Sequence, residues 1–119
     1  MKTGKKITGG KYLKRRKKRL HERSGQKVPL RLGEEKRKVK KVRGGNVKVS
    51  LLRVKIVNVL SDGKTKKTEI KNVLETPSNR FLARQNIVTK GAVVETELGK
   101  VKITNRPTQE GIANGILVK

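Results

Sequence analysis

The chain has no cysteine and no tryptophan, and only one tyrosine, Tyr12, and one phenylalanine, Phe81. Without cysteine there are no disulfides and no thiolate zinc sites, a composition that fits a reducing compartment such as the cytoplasm. With only these two aromatics, the usual platform for reading single-stranded nucleic acid, successive bases stacked on Phe, Tyr or Trp, is not expected. Acidic residues are scarce too: 9 Asp/Glu stand against 33 Lys/Arg, for a net charge of +24 in 119 residues. No apolar run approaches the ~18 residues of a spanning helix. No apolar segment follows the basic Met-Lys-Thr-Gly-Lys-Lys start, so no signal peptide is expected. A membrane surface would call for a basic helix with Trp, Phe or Leu on its other face. The sequence offers none, and no membrane partner is expected.

What is present is positive charge, and a field of that size opposes compaction in the free protein. A dense polyanion would cancel it, and nucleic acid, which releases counterions as its phosphates are neutralised, is the commonest one. The charge is uneven. Residues 1–45 hold 19 Lys/Arg and 3 acidic residues, whereas residues 46–119 hold 14 and 6. Apolar residues run the other way, 10 in the first stretch and 28 in the second. The first stretch therefore lacks the apolar surface to offset its chain entropy. It is expected to be a long basic N-terminal extension (1–45) attached to a small folded domain (46–119). Six cations stand in a row at Lys14-Arg15-Arg16-Lys17-Lys18-Arg19. Such a run opposes an isolated helix unless phosphates surround it. Arg43-Gly44-Gly45-Asn46 reads either as one RGG-like element or as a hinge.

The second stretch reads as short strands. Val47, Val49 and Leu51 alternate with polar residues, and the phase then shifts to Leu52, Val54 and Ile56. A bulge near Leu51-Leu52 is expected from that slip. Ser61-Asp62-Gly63-Lys64 is a turn signal. Further strands are expected over 66–74, 86–89, 92–98, 101–104 and 115–118. Thr76-Pro77-Ser78-Asn79 breaks the pattern, with a short helical turn capped by Thr76 as the alternative. Short strands with glycine at the joints predict a mainly β fold, a small antiparallel β-barrel-like domain.

A search for chemistry finds little. Asp62-Gly63-Lys64-Thr65 looks like the end of a phosphate-binding loop, but the pattern needs glycine where Asn58 stands. His21 is the only histidine. Glu34-Glu35 sit among cations and temper them, and Glu95 with Glu97 fit surface ion pairs better than an acid pair. No nucleophile–base–orienter set is apparent. No enzyme activity, cofactor, metal or small-molecule substrate is expected. Recognition should run through phosphates, 2′-hydroxyls and shape.

The residues then resemble a known family, small-subunit ribosomal protein eight of the archaeal–eukaryotic type. The matching stretches begin with Thr8-Gly9-Gly10-Lys11 and the basic run after it, then Val42-Arg43-Gly44-Gly45-Asn46 with Lys48, and Asn58-Val59. They continue through Thr76-Pro77-Ser78-Asn79, Arg84 with Asn86, Lys90-Gly91, Glu95-Thr96 with Gly99, and Arg106-Pro107 with Gln109 and Gly111. Thr108 stands where the family pattern would have glycine, and the length is similar to the shorter archaeal form. The resemblance implies a β-barrel-like domain with a basic extension on small-subunit rRNA, other ribosomal proteins as neighbours, a place in the cytoplasm, and no catalysis. The RNA contacts expected in the extension are Lys5, Lys6, Lys11, Lys14, Arg15, Arg16, Lys17, Lys18, Arg19, Arg23, Lys27, Arg31, Arg37, Lys38, Lys40, Lys41 and Arg43. In the domain they are Lys48, Arg53, Lys55, Arg80, Arg84 and Arg106. The reading from another class is a DNA-compacting, chromatin-type basic protein, whose charge would look much the same.

Overall fold

The computed structural model describes residues 4–13 and 15–118. In chain order the elements are a 3-10 turn at Leu20–Glu22, then strands β1 (Arg31–Leu32), β2 (Lys36–Lys41), β3 (Val47–Val54), β4 (Ile56–Ser61) and β5 (Lys64–Glu75). Helix α1 (Arg80–Arg84), strands β6 (Val93–Thr96) and β7 (Gly99–Ile103), helix α2 (Pro107–Glu110) and strand β8 (Asn114–Leu117) complete the chain. The fold is mainly β. Strands β4 to β8 close into a five-stranded barrel, and β1, β3 and β2 form a separate three-stranded sheet in that order.

The barrel follows from alternation. Val57 and Val59 point inward and are fully buried, while Ile56 and Leu60 lie exposed on the outer side. Val57 pairs in register with Thr68, Val94 with Val101 and Ile103 with Gly115, so buried residues meet across the ladders. The neighbouring strands are antiparallel except for one pair. Strand β4 meets β8 in parallel, and that pair closes the barrel. Closure leaves no free edge along the inner strands.

Two glycines set the geometry. The β4–β5 hairpin turns on Asp62 and Gly63, both at positive φ (49° and 75°). That is the two-residue turn whose twist suits a hairpin, as the Asp-Gly signal predicts. Gly115 faces the interior, where a Cβ would come within 2.5 Å of Val101 Cγ1 and 2.9 Å of the Lys102 carbonyl oxygen. Only a residue without a side chain lets β8 lie so close to β7.

The bulge expected near Leu51-Leu52 is present. Lys36 pairs with Arg53 but Arg37 pairs with Leu51, so Leu52 is the extra residue of β3. A second change of face follows at Lys55, between β3 and β4. Ile56 therefore turns outward, and Val57 and Val59 take the inward places expected for Ile56. The strand expected over 86–89 is instead a loop with a single bridge, Ile87 to Arg31. Asn86 adopts φ 52°, a left-handed conformation that ends regular structure there. The short helix after Pro77 is capped by Asn79, whose side chain accepts a hydrogen bond of 3.0 Å from the Phe81 N–H, and not by Thr76. Thr108 lies inside α2, and the left-handed position falls on Gly111 (φ 78°), which ends that helix.

The first 45 residues divide into two parts. Every described residue from Gly4 to Pro29 is exposed. Leu30, by contrast, is fully buried in the same core cluster as Leu51, Val54, Val57 and Val59. The Val88 N–H donates to the Leu30 carbonyl at 2.9 Å, and the Leu32 N–H to that of Asn86 at 3.3 Å. Strands β1 and β2 thus pair with β3 across the expected boundary at 45/46. Among the described residues, no helix is long and apolar enough to cross a membrane.

Candidate nucleic-acid interface

Strand β2 reads Lys-Arg-Lys-Val-Lys-Lys. With a period of two, Lys36, Lys38 and Lys40 share one face, and Arg37, Val39 and Lys41 share the other. Register decides what each face meets. Arg37, Val39 and Lys41 lie opposite Leu51, Val49 and Val47, the side of β3 on which Leu51 is buried. Lys38 and Lys40 lie opposite Ser50 and Lys48. The bulge then brings Arg53 opposite Lys36, and the parallel pairing of β1 sets Arg31 on the other side of Arg53. The outer face of this sheet therefore carries Arg31, Lys36, Lys38, Lys40, Lys48 and Arg53, all exposed.

Directly opposed side chains sit about 4.5–5.5 Å apart at Cβ, and like charges so placed are destabilising. Three contacts on this face are of that kind: Arg31 with Arg53, Arg53 with Lys36, and Lys40 with Lys48. None of the six has a carboxylate within ion-pair distance among the described residues. Glu35 lies beside this sheet but bonds to Arg37, on the opposite face of β2. Six exposed cations thus share one face with no counterion of their own among the described residues.

The other expected contacts are distributed. Lys5 and Lys11 bridge a small turn, with the Lys6 Nζ 5.8 Å from the Tyr12 ring centre. Lys14 lies outside the described residues. Arg15, Lys17, Lys18, Arg19 and Arg23 are exposed. Arg16 is bound internally, donating to both Glu22 oxygens at 2.6 and 2.9 Å. That guanidinium holds the Glu22 carboxyl below the usual range, and the Arg19 N–H adds to it. Arg43 sits in the β2–β3 turn, where the Val42 N–H reaches the Asn46 carbonyl at 2.8 Å. Lys55 pairs with Glu69 at 3.0 Å, and Arg80 and Arg84 lie one turn apart on α1. Lys27 and Arg106 meet at a groove beside Lys90. Among the described residues only Arg16, Arg37 and Lys55, of all the Lys and Arg, have a carboxylate partner.

Sequence reasoning singled out neither Lys36 nor Lys90 as a contact. Lys36 was within reach of a strand-period reading of 36–41. Lys90 had no signal, because its relation to Lys27 and Arg106 exists only in three dimensions. Among the described residues no three of His, Asp and Glu are close enough to hold a metal ion. Glu95 lies exposed opposite Lys100 across the β6–β7 ladder.

These features define a class, a small, strongly basic β-barrel protein with a cationic three-stranded sheet. The family model described as Ribosomal protein S8e matches residues 1–118, and the chain belongs to that family. The chain is 51% identical over 115 residues to the small ribosomal subunit protein eS8 of Nanoarchaeum equitans, covering 95% of this chain and 91% of that protein. It is 50% identical over 117 residues to the eS8 protein of Staphylothermus marinus, with 96% and 91% covered. To that of Methanosarcina barkeri it is 41% identical over 116 residues, with 96% and 93% covered.

Proposed function

We propose that the protein is a structural constituent of the small ribosomal subunit that binds and stabilises folded rRNA through phosphate and shape contacts. In this reading it works in the cytoplasm as part of the ribosome, beside other ribosomal proteins, and performs no catalysis. The observation that carries it is the outer face of the three-stranded sheet, where six cations lie in register without a carboxylate. A rigid array of that kind suits the regularly spaced phosphates of a helix backbone, which position a protein without being read as sequence. The exposed cations of residues 4–29 extend the same chemistry beyond the sheet, and the naming of the relatives as small-subunit proteins supports the choice of RNA. Residues 1–29 act as the RNA-binding extension proper, and residues 30–45 dock it onto the domain through Leu30 and β2.

The test is binding to small-subunit rRNA as a function of salt. Ten neutralised phosphates correspond to a log–log slope of magnitude about 7–9, at about 0.7–0.9 per phosphate. A slope near zero would overturn the reading. A chromatin-type role predicts that duplex DNA competes as well as folded rRNA. Under the ribosomal reading it competes poorly, because A-form shape and 2′-hydroxyls are part of what is recognised.

A further inference from the structure

A groove of about 640 Å³ opens between residues 25–30, the loop at 87–90 and helix α2. Its volume falls in the range of small-molecule sites, about 300–1,000 Å³. The floor is apolar: Leu82 is half-buried, Ile87 is 5% exposed, and Pro107 is buried. Lys27, Lys90 and Arg106 stand around it, exposed, with no ion-pair partner among the described residues. The nearby Glu110 carboxylate, hydrogen-bonded by the Asn105 side-chain amide at 2.9 Å and the Arg106 N–H at 3.2 Å, also feels the charges of Lys90 and Arg106, and three cations against one carboxylate leave the groove net positive.

These features suit one ligand chemistry. An apolar floor takes the face of a base, and three cations take a phosphate. An aliphatic protein segment would fill the floor but leave the cations unmet, and a duplex backbone would meet the cations but leave the floor empty. We propose that this groove holds one unstacked nucleotide of the bound RNA, its base over Leu82 and Pro107 and its phosphate among Lys27, Lys90 and Arg106. The inference rests on the RNA-binding function proposed above. It adds a nucleotide site to a protein whose shortage of aromatics argues against one, with aliphatic side chains replacing the stacking ring.

The test uses the full-length chain with labelled Ile and Leu methyl groups, titrated with adenosine 5′-monophosphate, with inorganic phosphate, and with a perfect RNA duplex. The nucleotide is expected to shift the Leu82 and Ile87 methyls with a Kd of about 1–10 mM, the affinity of a few weak contacts. Inorganic phosphate should leave those methyls in place. Lys90→Gln, at an exposed side chain outside the core, should keep the fold and weaken the nucleotide about fivefold, the value of one hydrogen bond. Its effect on duplex binding should be smaller. If the duplex binds while 10 mM nucleotide moves neither methyl, the groove assignment is overturned and the proposed function stands. If an acidic peptide moves the methyls and the nucleotide does not, the groove is a protein site and the assignment is equally overturned. If the duplex itself fails to bind, the proposed function falls and takes with it the RNA role of the groove.

Discussion

The barrel and the three-stranded sheet are made of the same kind of strand, yet they treat charge in opposite ways. On the barrel, Lys100 lies opposite Glu95, Glu69 pairs with Lys55, and no two cations stand directly opposite one another in its ladders. On the sheet, Lys36 faces Arg53, Arg53 faces Arg31 and Lys40 faces Lys48. The barrel also closes on itself, whereas the sheet exposes every residue of β2. The barrel is arranged to be stable in water. The sheet gathers like charges side by side, a repulsion that the proposed RNA contact would relieve. The free protein tolerates the sheet because Leu30, Leu51 and Val54 tie its inner face to the common core.

The sharpest way to break this contrast is to neutralise the face. Replacing Arg31, Lys36, Lys38, Lys40, Lys48 and Arg53 by Gln should lower the salt slope of rRNA binding by about 4–5, at about 0.7–0.9 per phosphate. Thermal stability should hold or rise, because like-charge pairs are removed. Unchanged binding with lost stability would mean that these cations serve the fold.

Truncation is next in size. A chain lacking residues 1–29 should melt close to the intact protein, since every described residue it loses is exposed. A chain lacking residues 1–45 also loses Leu30 and β2. It should be destabilised by at least the roughly 2–5 kcal/mol of a large core deletion. Equal melting temperatures for the two would show the docked segment to be dispensable.

Leu51→Ala addresses the link between sheet and barrel, because Leu51 is fully buried where the two share a core. A loss of about 2–5 kcal/mol is expected, read by calorimetry at about 4–8 °C per kcal/mol for a domain of this size. A loss below half a kcal/mol would mean that the sheet is not packed on that core.

The smallest effect belongs to α2. The Asn105 side-chain amide, followed by the Arg106 N–H, holds the Glu110 carboxyl below its usual pKa. A carboxylate depressed by folding stabilises above its unfolded pKa, and that contribution is lost as pH falls through the folded value. Glu110→Gln should therefore lower the melting temperature slightly at pH 7. Melting curves should converge as the pH drops below about 4, the ordinary glutamate range. A constant difference across that range would trace the effect to something other than the charge.

Much of this protein was legible from residue order. Alternation and the Asp-Gly turn located most strands, and the phase change at Leu51-Leu52 located the bulge. The region 86–89 was misread because its apolar residues, Ile87 and Val88, suggest a strand, while Asn86 takes a left-handed backbone that no periodicity reports. Leu30 was invisible as a core residue for a related reason. One leucine among cations has no period, and its burial depends on Val88, far along the chain.

Composition and order alone settled that the protein is strongly basic, mainly β, and divided into a charge-rich first stretch and an apolar second one. Those are local properties, fixed by side-chain chemistry and the two-residue period of a strand. Only the tertiary structure decided which cations lie together. The six on the sheet come from three strands, and the three at the groove from three separate segments, so neither set is contiguous in sequence. Register and a one-residue bulge determine which side chains share a face, and these in turn depend on a core that forms only when the whole chain has folded.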